Sequence, residues 1–67
     1  MTDSKVIGAR LRDLRGDRSQ KAVADAVGVE VMTISNYERG ERVPQDEIKI
    51  RLAEYFGKTV QDIFFTT

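Results

Sequence analysis

The stretch Gln20–Tyr37, QKAVADAVGVEVMTISNY, decides the fold. Val23 and Val27 stand four residues apart with Ala24 beside them, so they share one face of a helix over residues 20–27. Ser19 precedes that helix as its N-cap, and Gly28 follows it where a left-handed residue usually ends a helix. A second helix is expected over Val31–Arg39, with Ile34 and Tyr37 facing inward and Gly40 closing it in the same manner. Two short helices joined by so tight a turn must cross steeply. They need a small side chain where they touch and a glycine where the chain turns. Ala24 and Gly28 meet both demands.

Outward from this stretch the pattern stays helical. Ile7, Leu11 and Leu14 form one stripe of a first helix that begins at the N-cap Asp3 and runs to Arg15, before a turn at Gly16-Asp17-Arg18. On the other side, Pro44 cannot continue a helix and pushes Val43 towards extended backbone. A fourth helix follows over Asp46–Phe56, with Ile48, Leu52 and Phe56 inward and Gly57 at its end. Thr59 to Asp62 has the spacing of a capping box, and opens a last short helix carrying Ile63 and Phe64. Lys58 stands where an apolar residue would complete a hydrophobic staple. With no strand alternation or repeat in competition, the expected class is all-α, five short helices in one domain (residues 1–67).

Composition narrows the functions. The chain has neither cysteine nor histidine, so no disulfide framework and no familiar zinc site are expected. Without those residues or convergent carboxylates no reaction centre can be assembled; neither an enzyme, a metal, a cofactor nor a small-molecule ligand is expected. Nothing resembles a signal peptide or a membrane span, which makes a cytoplasmic protein the expectation. Eleven basic and eleven acidic residues leave no net charge, but they are distributed unevenly. Residues 1–23 hold six Lys/Arg against three Asp/Glu, residues 24–38 hold three acids and no base, and residues 39–51 hold four bases against three acids. The plain reading of that pattern is a mixed, solvated surface.

The residues left outward on the third helix, Val31, Met32, Thr33, Ser35 and Asn36, are small, mixed and uncharged, as an element entering a major groove needs. In its ordered set of residues the chain resembles the lambda-repressor-like (Cro and repressor, Xre-type) helix-turn-helix family. The set is Ile7-Gly8, Leu11, Leu14-Arg15, Ser19-Gln20, Ala24, Gly28, Ile34-Ser35, Tyr37-Glu38-Arg39-Gly40, Pro44, Leu52-Ala53 and Ile63-Phe64, which covers nearly the whole chain. The resemblance implies a DNA-binding transcriptional regulator. It gives Val31, Met32 and Asn36 as base contacts, with Asn36 able to bond adenine twice and Val31 or Met32 able to pack on a thymine methyl. It gives Arg18, Ser19, Gln20, Thr33, Ser35, Arg39 and Arg42 as contacts to phosphates, Thr33 and Ser35 with base edges as the alternative. Arg15 and Glu38 look like the family's structural ion pair. Glu30 departs from the pattern, replacing the Ser or Thr that often caps the recognition helix.

Val31 and Met32 also read as core or dimer residues, though the motif favours the groove. Phe64 and Phe65 are adjacent and face different sides of a terminal helix, so one belongs to the core and the other either to a dimer contact, the favoured reading, or to an exposed, frayed end; both are candidates for the dimer contact. The expected partners are double-stranded DNA and a second copy of the chain. The resulting expectation is a dimeric repressor with its third helix in the major groove of a palindromic operator. Two alternatives are an antitoxin or restriction-modification controller with the same DNA chemistry, and a helix-turn-helix used only to bind protein.

Overall fold

The computed structural model describes residues 3–65, and all of its regular elements are helical. They are α1 (Ser4–Arg15), α2 (Gln20–Val27), α3 (Val31–Glu38), α4 (Asp46–Phe56) and a terminal π-helical turn (Gln61–Phe65). The architecture is the all-α one that the spacing predicts, with α2 and α3 joined by the tight turn at Gly28. Among the described residues no helix is long and apolar enough to cross a membrane.

The helix bounds follow from local chemistry. The carboxylate of Asp3 accepts the Lys5 N–H and the hydroxyl of Ser19 accepts the Ala22 N–H, so α1 and α2 start on side-chain caps. Glu30, at the N-cap of α3, makes no such bond. α3 ends one residue earlier than the spacing predicts, because Arg39 is its C-cap and Gly40 takes the left-handed turn at φ 74°. There the Glu41 N–H bonds the Asn36 carbonyl at 2.9 Å and the Gly40 N–H bonds the Tyr37 carbonyl at 3.1 Å. This pair of bonds is the Schellman arrangement. The last element differs from the expected α-helix by winding more widely. That winding brings adjacent side chains closer in direction, and both Ile63 and Phe64 go inward. Thr59 caps it, accepting the Asp62 N–H at 3.0 Å.

One core joins all five elements: Ile7 and Leu11 from α1, Val23, Ala24 and Val27 from α2, Ile34 and Tyr37 from α3, Leu52 and Ala53 from α4, then Ile63 and Phe64. Leu14, Ile48 and Phe56, expected inside, lie at its rim. Ala24 is fully buried between α2 and α3, and Gly28 turns the chain at φ 78°. The Gly28 and Val29 N–H groups both reach the Ala24 carbonyl. Arg51 of α4 donates to the Val27 carbonyl at 3.2 Å, satisfying the end of α2 from across the core. At the opposite side Ser4 donates to the Gly40 carbonyl at 3.0 Å, and Arg10 to the Ile63 carbonyl at 3.1 Å.

Phe64 corrects one expectation. It is 2% exposed and part of the core, so it has no surface to offer a second copy, whereas Phe65 is 59% exposed.

Candidate nucleic-acid interface

α3 is held from behind by one carboxylate. The Glu38 side chain accepts the Arg15 Nε–H at 2.7 Å, an Arg15 Nη2–H at 3.1 Å and the Gln20 amide at 3.0 Å. Arg15 also donates to the Arg18 carbonyl at 2.8 Å. The end of α1, the turn, the start of α2 and the end of α3 thus meet at a single group. Glu38 and Arg15 are mostly buried, with 6% and 18% of their side chains exposed. The bond to Glu38 holds the Arg15 guanidinium above its ordinary pKa. A paired charge in this setting fixes geometry more than it adds stability. The Gln20 amide, at α2's first residue, gives one N–H to Glu38 and so buttresses α3.

In front, α3 presents Val31 and Met32, 41% and 63% exposed, with Thr33, Ser35 and Asn36 half-buried. The two apolar side chains stand beside three polar ones, while Ile34 and Tyr37 pack the other face of the helix into the core. Beyond the helix end Arg39 and Arg42 are exposed. Arg39 donates to the Asn36 Oδ1 at 2.6 Å and to the Glu41 carboxylate at 3.3 Å. Tyr37 lies beneath, and burial pushes its hydroxyl pKa up against the opposing pull of nearby Arg42. Ser19 caps α2 at the edge of this face.

Arg18 does not join the group. Its guanidinium lies over the rings of Tyr55 and Phe56, 5.4 and 5.7 Å from their centres, and donates to the Leu14 carbonyl at 3.0 Å. In the free chain this stacking turns its charge towards α4, apart from Arg39 and Arg42. The acidic middle of the sequence is also less negative in space than along the chain. Glu38 is neutralised by Arg15 and Asp25 by Lys21 at 2.8 Å, both bases coming from the positive first segment.

Sequence reasoning missed Glu41, which anchors Arg39. The signal was available in the Arg39-Gly40-Glu41 order, since a left-handed glycine after a helix folds the next residue back on the last turn. It also missed the physical reason for Gly8, where α1 touches the backbone of α3.

A family profile described as helix-turn-helix matches residues 9–63. Among solved structures, the restriction-modification controller protein C.AhdI from Aeromonas hydrophila is similar with a TM-score of 0.84 and 28% identity, over 92% of this chain and 97% of that one. The clp gene regulator ClgR from Corynebacterium glutamicum is similar with a TM-score of 0.83 and 26% identity, over 94% of this chain and 69% of that one. No curated protein sequence matches the chain. The match over most of its length, on the fold described above, makes this chain a member of the Cro/C1-type helix-turn-helix family of DNA-binding transcriptional regulators.

Proposed function

We propose that the protein is a cytoplasmic homodimeric repressor that lays α3 into the major groove of a palindromic operator. The observation that carries this is the outer face of α3: exposed Val31 and Met32 beside the Asn36 amide, on a helix braced from behind by Glu38. In this reading Val31 and Met32 pack on thymine methyls and Asn36 bonds an adenine edge. Ser19, Gln20, Thr33, Ser35, Arg39 and Arg42 hold the phosphates around it. Asn36→Ala then relaxes selectivity at one base pair by about 1–3 kcal/mol.

Size supports two copies. The longest extent of the chain is 28 Å, while successive major grooves on one side of DNA are ~34 Å apart. One copy therefore reads one half-site. Phe65, exposed beside α4, is the residue we assign to the contact between copies.

A random duplex library titrated with the protein across salt concentrations, then sequenced, tests the reading. A repressor of this kind enriches a palindrome, with affinity that falls steeply in salt at a slope of about −0.9 per phosphate contacted. Absence of enrichment at low salt would overturn it in favour of a protein-binding module. A second reading, controller of restriction-modification genes, is favoured by the likeness to C.AhdI over nearly the full length of both chains. Neighbouring endonuclease and methyltransferase genes carrying the enriched site would select it.

A further inference from the structure

The Asn36 side chain is not free to present either end of its amide. The Arg39 Nη2 donates to its Oδ1 at 2.6 Å and to a Glu41 carboxylate oxygen at 3.3 Å, forming a chain from Glu41 through Arg39 to Asn36. All three residues belong to one rigid cap. The Glu41 N–H bonds the Asn36 carbonyl at 2.9 Å, Gly40 supplies the left-handed turn between them, and Ser4 of α1 ties the Gly40 carbonyl at 3.0 Å. The separation of Asn36 from Glu41 is thus set by backbone, and Arg39 bridges it.

We propose that Arg39 is a positioning residue for base reading, holding Asn36 in one amide orientation rather than serving only as a phosphate grip. A guanidinium only donates, so it can bond the amide oxygen but never the N–H2. It therefore selects one of the two flip states. A carboxamide oxygen has two lone pairs, and Arg39 takes one of them. The other, with the N–H2, is left for the two-bond contact with adenine that needs an acceptor and a donor side by side. Glu41 keeps the guanidinium in place before DNA arrives. Its carboxylate also offsets part of the charge of Arg39, so the bridge sharpens selectivity while weakening general attraction to phosphate. This proposal rests on the DNA-reading face assigned above.

The test compares base preferences of the wild type, R39Q, N36A and the double variant by the same library selection, with thermal unfolding to confirm that each is folded. Ordering a flexible side chain is worth about threefold to tenfold in binding. R39Q is therefore expected to lose about that much discrimination at the base pair on which N36A acts. In the double variant, discrimination there should be no lower than in N36A alone. If R39Q instead weakens all sequences equally, lowers the salt slope by about 1 and keeps the base preference, Arg39 is a phosphate contact and the proposal falls. A wild type that enriches no site at all would overturn the DNA-reading face itself, and this proposal with it.

Discussion

Replacing Gly8 by alanine sets two effects of known size against each other. In a helix interior, alanine is favoured over glycine by about 1 kcal/mol, because glycine loses more backbone freedom on folding. At this position, however, α1 lies on the last turn of α3. A Cβ on residue 8 would stand 2.5 Å from the Glu38 carbonyl oxygen, 2.6 Å from that of Tyr37 and 2.9 Å from the Glu38 carbonyl carbon. All three are backbone atoms, at a helix end fixed by its Schellman bonds and by Arg15. None can swing aside as the tip of a side chain would. Contacts between carbon atoms are comfortable only near about 3.5 Å, so the helices must part by roughly 1 Å. Overpacking of this kind costs about 1–3 kcal/mol and occasionally more, and parting the helices also loosens Ile7 and Leu11 from Ile34 and Tyr37. The clash outweighs the propensity. Gly8→Ala should destabilise by about 1–3 kcal/mol, lowering Tm by roughly 5–20 °C in a domain of this size. Thermal and urea unfolding followed by circular dichroism measure both quantities. A variant as stable as the wild type, or more so, would refute the claim that backbone contact sets the spacing of α1 and α3.

Glu38→Ala leaves Arg15 and Gln20 without their shared partner. Removing one member of a buried pair costs about 3–5 kcal/mol, and because Arg15 keeps 18% of its side chain exposed we expect the low end, read from the urea midpoint. A loss below about 1 kcal/mol, the range of surface pairs, would show that the cluster does not brace α3. For Tyr37 the sign of the pH effect follows from its raised pKa. The unfolded chain releases the phenolic proton near pH 10 while the folded chain still holds it, so stability falls as pH rises through that range. Tyr37→Phe should flatten this part of the profile between about pH 9 and 11; parallel curves would mean that burial does not restrain the hydroxyl. Phe65→Asp should convert a dimer to monomer in sedimentation without unfolding the chain, since Phe65 lies outside the core. An unchanged association constant would move the contact elsewhere.

Much of this fold is legible because its punctuation is local. α1, α2 and α4 occupy the expected residues: Asp3 and Ser19 cap with their own side chains, and Gly16, Gly28 and Gly57 end the helices at positive φ. The Val23–Ala24–Val27 face needs only helical spacing to be seen. What stayed hidden depends on which distant groups come together. Nothing near Arg18 in sequence announces the rings of Tyr55 and Phe56, some forty residues on, over which its guanidinium lies. Adjacency alone could not say which of Phe64 and Phe65 is buried, because that turns on the wider winding of the last turn. The face of α3 was visible as a list of residues. The Arg39 bridge across it was not, since it requires the backbone of the cap to bring Asn36 and Glu41 to one side chain.

The bond from Arg10 to the Ile63 carbonyl spans 53 residues and joins the first helix to the last turn. During synthesis α1 leaves the ribosome early, but Ile63 and Phe64 must still be made and clear the exit tunnel before they can complete the core with Ile7 and Leu11. Until then a nascent chain carries an apolar stripe and an unsupported α3. Folding of this domain therefore waits for residues 63 and 64, and a chain cut short before them lacks the groups that complete the core.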